Sequence, residues 1–247
     1  AISSDDLRRS LSGIYIESGE DRVLRLVATD GHRLSLVEGP ALDPERSEGE
    51  GPAFDPERSE GEGVAKELKK GVIIPKKGVL ELRKIAKLDD YIRIGCSENN
   101  FVAQGSGISL IIRLIDAEFP NYRQVIPENT NITLHIRREE FLSALRRVSI
   151  FSIETTRAIK MGIENGIITL SSVSPELGEA KEIVPIDYTG DSIELGFNAR
   201  YLMDVLEATS EDMVQLGIID QLNPVLIKPV SDTKEQLYLS VIMPMRV

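Results

Sequence analysis

The sequence predicts an α+β protein built from two tandem domains of one plan, and three observations predict it. Helix-period and strand-period signals alternate along 247 residues, a length that suits two ordinary domains better than one large one. Each half opens on a helix signal, runs through strands, reaches a second helix and ends in strands. That second helix recurs. Residues 75–95 laid without gaps over 197–217 pair Leu80 with Leu202, Ala86 with Ala208, Asp90 with Asp212 and Gly95 with Gly217.

Residues 5–11 read as an amphipathic helix with Asp5 and Asp6 at its positive end. The chain starts on Ala1 rather than Met, so further sequence upstream is expected. Strand runs follow at 13–17, 23–28 and 33–37, with Asp30 and Gly31 as the tip of a tight turn between the last two. Residues 41–66 form no core pattern. They carry DPERSEGEG twice, at 43–51 and 55–63, and read as a disordered acidic insertion, with a binding role left open.

After Pro75 a helix places Val79, Leu82, Ile85 and Ala86 on one face and Arg83, Lys84 and Lys87 on the other, with Lys76 and Lys77 extending the basic patch. An acidic turn then leads to a strand at 91–95. Pro120, Pro127 and three Asn between residues 119 and 131 mark a linker. The expected domains are therefore 1–120 and 131–247, joined by 121–130. In the second domain a helix at 139–148 sets Phe141, Ala144, Leu145 and Val148 against Glu139, Ser143, Arg146 and Arg147. A strand at 213–217 follows the repeated helix. A basic helix face is usually a solvated face, but its recurrence in both halves makes phosphate contact a candidate role. No aromatic residues interleave with these bases, so such contact would be independent of nucleotide sequence.

Net charge is −11, yet residues 43–63 hold eight acidic residues and only two basic ones, so the rest of the chain is mildly acidic. The overall sign is thus a weak objection to a nucleic-acid partner. Cys96 alone cannot make an internal disulfide, and His32 and His135 are too few for a histidine-rich metal site, so no metal or cofactor is expected. Neither a membrane-length apolar run nor a signal-peptide pattern is present, which points to a cytoplasmic protein with no membrane partner.

Phosphate-binding, nucleophile-elbow and zinc-protease motifs are absent. The most enzyme-like string is Thr29-Asp30-Gly31-His32-Arg33. It leaves a hydrolase using Asp30, His32 and Arg33 as an alternative, although a converging second group is not visible. Glu139 and Glu140 read as first-turn helix residues, and no catalytic residue is assigned.

Four strings, in order, carry a resemblance: LRLVATDGHRL at 24–34, VIIPKKGVLEL at 72–82, FPNYRQVIP at 119–127 and VIMPMRV at 241–247. The chain resembles the second and third domains of the bacterial DNA polymerase III beta subunit, the sliding clamp, over nearly all its length apart from the insertion. The resemblance implies tandem clamp domains with helices on the inner face of a ring and antiparallel sheets outside. It implies a non-catalytic processivity factor that encircles duplex DNA. Its partners would be the polymerase III catalytic subunit, the clamp loader and other proteins carrying a short Gln, Leu and Phe-like motif.

That motif would enter a pocket walled by Leu11, Thr29, Gly31, His32, Arg33 and Leu34. Pro120, Gln124, Val125 and Pro224 would continue the wall, and Val241, Ile242, Met243, Pro244, Met245 and Arg246 would complete it. Methionines suit a pocket that accepts several partners. Gln124 stands where a basic residue is common and Pro224 where a small hydroxyl residue is common. DNA would be faced by Arg8, Arg9, Lys76, Lys77, Arg83, Lys84 and Lys87, and by Arg138, Arg146, Arg147 and Arg200. A head-to-tail contact would close the homodimeric ring through Arg147, Ile150 and Phe151, with Glu176, Glu179 and Glu182 beside them. Spacing alone reads Ile150 and Phe151 equally well as core. The family's first domain has no counterpart in residues 1–247, so this fragment is expected to be monomeric. A scaffold of repeated domains with no DNA role is the remaining alternative.

Overall fold

Strand, helix and three further strands follow one another three times along the described residues of the computed structural model, which are 1–3, 8–19, 23–40, 68–97, 99–231 and 237–246. The first copy is β4 (Val72–Pro75), α1 (Lys76–Ile85), β5 (Arg93–Ser97), β6 (Asn100–Gly105) and β7 (Ile108–Arg113). The second is β8 (Ile132–Arg137), α2 (Arg138–Ser149), β9 (Ala158–Glu164), β10 (Ile167–Ser174) and β11 (Gly178–Pro185). β12 (Ile193–Asn198), α3 (Ala199–Ala208), β13 (Met213–Ile218), β14 (Val225–Pro229) and β15 (Leu237–Ile242) make the third. Ahead of them lie β1 (Gly13–Ser18), β2 (Val23–Thr29) and β3 (Arg33–Pro40).

Contacts divide the chain into two units. One has Ala1–Gly31 and Ser35–Asn121 as its body; the other takes in His32–Leu34, Tyr122–Lys234 and Tyr238–Val247.

In the first unit, strands run in the order β4-β1-β2-β3 in one sheet and β5-β6-β7 in another. The apolar residues of α1 pack with those of β4, β6 and β7, around Ile16, Ile74, Phe101, Ala103 and Ile112. Gly78 makes that close approach possible, because a Cβ there would lie 2.5 Å from Ile112 Cγ2. Between β2 and β3 the chain turns through Gly31, whose φ of 90° suits glycine, and the Gly31 amide donates to Thr29 Oγ1 at 3.1 Å.

In the second unit the two βαβββ copies exchange their first strands. β8 pairs with β13 of the other copy, giving the order β15-β14-β13-β8; β12 pairs with β9, giving β11-β10-β9-β12. Both pairings are antiparallel. Alternate residues on β9 and β10, among them Ile159, Met161, Ile163, Ile168 and Leu170, point inward and meet Phe141, Leu145, Phe197 and Leu202 from the helices and β12.

Side-chain partners meet the ends of α2 and α3, although neither α1 nor α2 has a side-chain N-cap. Glu139 and Glu140 occupy the first turn of α2 and Arg146 and Arg147 its last, in accord with the helix dipole. Buried Ser172 donates its hydroxyl to Val148 O at 2.6 Å, supplying a partner to a carbonyl near the helix end. Asn198 caps α3 by accepting from the Arg200 amide at 3.0 Å.

The α+β class holds, and the helix expected at 139–148 forms with one further residue at each end. The gapless overlay does not hold. α1 starts directly after Pro75 and α3 after Asn198, so the two helices are one residue out of register in it, and the connection to the next strand is longer after α1. Leu80 is consequently 49% exposed, whereas Leu202 is fully buried. Val79 and Leu82 are the positions that correspond to Leu202 and Val205. Ala86 is an exposed C-cap rather than part of the apolar face, and Tyr91 precedes β5 instead of lying in it. Of the helix expected at 5–11, residues 9–11 form a 3₁₀ turn, and residues 5–7 lie outside the described residues. The acidic insertion read at 41–66 also lies outside them. Within the segment read as a linker, Tyr122–Val125 form a 3₁₀ turn with Tyr122 buried.

Candidate functional site

His32, Arg33 and Leu34 leave the glycine turn and join the second unit, where the end of the chain meets them. The Met243 amide donates to His32 O at 2.9 Å, and the Met245 amide donates to Gly196 O at 2.9 Å, fixing residues 243–245 at both ends. Leu34, Val241 and Ile242 are buried. Met243 and Arg246 are exposed, and Pro244 and Met245 partly so. A buried apolar base thus carries a row of more accessible residues, with the His32 ring at the surface.

Arg33 does not open into solvent. Its side chain is 14% exposed, its Nη1 donates to Asp204 Oδ2 at 2.6 Å, and its guanidinium carbon lies 4.4 Å from the centre of the Tyr201 ring. Tyr201 and Asp204 stand three residues apart on one face of α3, which is why they reach the same group. Sequence reasoning missed both; an aromatic and a carboxylate at helical spacing read as an ordinary surface pair.

Of the other wall residues, Gln124 and Val125 are exposed on the 3₁₀ turn, and Pro224 is partly buried in the loop before β14. That loop is held by Asp220. Its Oδ1 accepts the Leu222 and Asn223 amides at 2.8 Å each, its Oδ2 accepts Asn223 Nδ2 at 2.8 Å, and these bonds hold its pKa below the ordinary aspartate range. Leu11, Thr29, Gly31 and Pro120 belong to the first unit. Leu11 and Thr29 are buried there, whereas Gly31 and Pro120 are exposed.

The basic residues named for DNA are exposed except Arg138. Arg138 turns back to donate to Glu211 O at 3.0 Å and Leu206 O at 3.4 Å, so it serves the end of α3. Several of the others meet carboxylates. Lys84 Nζ lies 2.8 Å from Glu81, and Arg146 Nη2 lies 2.8 Å from Glu207. Arg8 reaches Asp30 O at 3.5 Å.

Arg147, named for both DNA and the subunit contact, is drawn to β11, where it grips Glu182. A shallow groove between α2 and β11 is lined by Glu139, Ser143, Arg147, Ile183 and Pro185 among others. β11 is an outer strand of its sheet. Ile150 is 66% exposed at the end of α2, which excludes the core reading for it; Phe151 is partly buried, and Glu176 and Glu179 are exposed.

Among the described residues no group of three or more His, Cys, Asp or Glu side chains is placed to hold a metal, and no helix is long and apolar enough to cross a membrane. Around residues 241–246 the surface combines apolar side chains, a guanidinium paired with a carboxylate and the exposed residue His32.

Family models match in tandem: the DNA polymerase III beta subunit central domain over residues 60–121 and the C-terminal domain over residues 123–246. The beta sliding clamp of Caulobacter vibrioides is 34% identical across all of this chain, which spans 61% of that relative's length. A sliding-clamp structure from Pseudomonas aeruginosa, solved with a ligand, superposes with a TM-score of 0.85 at 29% identity, covering 100% of this chain and 61% of that one. The clamp of Bartonella birtlesii, solved bound to griselimycin, superposes at 0.80 with 34% identity and covers the same shares. Matched over both units by models of one protein, this chain belongs to the DNA polymerase III beta subunit family, the bacterial sliding clamps.

Proposed function

We propose that the chain acts as a non-catalytic processivity factor in the cytoplasm, as part of a ring that encircles duplex DNA and tethers a replicative polymerase and other proteins. Residues 1–120 would serve as the family's central domain and 131–247 as its C-terminal domain, joined by 121–130. What supports the tethering role most is the bond between the Met243 amide and His32 O, which brings together two of the strings that carry the family likeness from opposite ends of the chain. An accessible row over a buried apolar base, with His32 beside it, suits the Gln, Leu and Phe-like peptide of the polymerase, the clamp loader and related partners. That the Bartonella relative was solved with griselimycin bound is consistent with a ligand-accepting surface in the family.

For DNA, the exposed cations of α1, α2 and α3 supply phosphate contacts without base readout. For the ring, Arg147, Ile150 and the β11 edge form one side of a heterologous contact, so residues 1–247 expressed by themselves are expected to remain monomeric.

The test titrates the chain into a fluorescent peptide carrying Gln, Leu and Phe, and separately into two unrelated DNA duplexes at rising salt. Saturable peptide binding lost in His32→Ala, with equal, steeply salt-dependent binding to both duplexes, is the expected result. No peptide binding, or a strong preference for one duplex, overturns it.

A further inference from the structure

We infer that Asp204 is a positioning and specificity-determining residue for the peptide site: it holds the Arg33 guanidinium over the Tyr201 ring and balances its charge, so this wall selects uncharged side chains. The inference rests on the peptide-site reading of His32, Arg33 and residues 241–246.

A guanidinium is planar and always charged, and with only 14% of the Arg33 side chain exposed its charge has lost most of its hydration. Such a group tolerates burial only with a charged or π partner. Asp204 supplies the charge at 2.6 Å and Tyr201 the ring face at 4.4 Å. Both partners sit on α3, whose start is fixed by the Asn198 cap and by the Ala199 amide donating to Arg157 O at 2.9 Å. The backbone next to Arg33 is fixed too, by the Met243 amide on His32 O. Arg33 is thus oriented from both ends.

With its charge balanced, the guanidinium and the ring it lies over present a surface of near-zero net charge. An apolar or amide side chain loses little on meeting it. An acidic one would have to compete with Asp204 for Arg33, a repulsive element of the kind from which specificity is made. Removing the carboxylate while keeping its shape would leave a poorly hydrated cation that attracts an acidic side chain.

The experiment measures affinities of the 247-residue chain for the Gln, Leu and Phe peptide and for a series in which Glu replaces each position in turn. In Asp204→Asn the ratio of neutral to best acidic affinity should move about tenfold toward the acidic peptide. Asp204→Glu should restore it. Arg33→Gln, which leaves Asp204 unbalanced, should move the ratio the opposite way and decides the matter if Asp204→Asn fails to fold. A merely structural role would weaken all peptides together. A ratio unchanged in every folded variant overturns the inference. Failure of the unaltered chain to bind any of the peptides instead overturns the peptide-site reading, and the inference with it.

Discussion

Arg147 and Glu182 meet across α2 and β11 in a two-pronged ion pair, Nε to Oε1 at 2.8 Å and Nη2 to Oε2 at 2.9 Å. The hydrogen bond from Arg147, with its charge as a lesser cause, holds the Glu182 carboxyl below its ordinary pKa. A depressed folded-state pKa means that the pair's contribution is present above the unfolded value and is lost as pH falls through the lowered one. Glu182→Gln should therefore melt slightly below the unaltered chain at neutral pH, with the gap closing in acid. Melting temperatures across that range check it, and a gap that stays constant would exclude the linkage.

Asp220 is the second carboxylate held below its ordinary range, mainly by the Leu222 and Asn223 amides. The same sign applies: order in the loop before β14 should persist above the ordinary aspartate range and weaken once acid protonates Asp220. Asp220→Ala should speed hydrogen exchange at the Leu222 and Asn223 amides while leaving β13 protected. Unchanged exchange at those two amides would show that the loop is held by other means.

Gly78→Ala should destabilise. In an open helix the change would gain about 1 kcal/mol. Here the new methyl would lie 2.5 Å from Ile112 Cγ2, and overpacking of that kind costs about 1–3 kcal/mol. Denaturant unfolding gives the sign directly, and a gain in stability would mean that Ile112 moves aside freely.

Glu207→Gln should strengthen DNA binding. Arg146 lies 2.8 Å from Glu207 with both side chains about half exposed, so an incoming phosphate must displace a carboxylate. Freeing the cation should raise affinity about twofold to fivefold at low salt and steepen the salt dependence by up to about 0.9 in log–log slope. Arg146→Ala in the same background should cancel the gain. Equal binding by Glu207→Gln and the unaltered chain would show that Arg146 meets no phosphate.

The α+β class and the three helices were legible because apolar spacing survives in one dimension. What a side chain faces was not. Leu80 and Leu202 match as letters yet lie on different helical faces, since a repeat of similar helices hides a loop-length difference. The contacts of Arg33 with Tyr201 and Asp204 were not legible, because they exist only once a distant tripeptide meets α3. Arg138 reads like Arg146 in sequence; only the carbonyls of Leu206 and Glu211 separate a helix-end brace from an exposed cation paired with Glu207. Ile150 was ambiguous for the same reason, as a short apolar run does not declare its facing.

The exchange of β8 and β12 in the second unit bears on how the chain acquires its structure. Ile132 pairs with Ile218 and Arg137 with Met213, so the ladder beside β8 forms only after most of the unit has been synthesised. Such distant closures carry a large entropy cost before any contact rewards them, and they slow folding. Neither copy can complete its own sheet, so an isolated half would expose an unpaired strand edge, a template for aggregation. Residues 122–246 should therefore fold in one cooperative step, and cleavage between β11 and β12 should yield two pieces that are soluble only together.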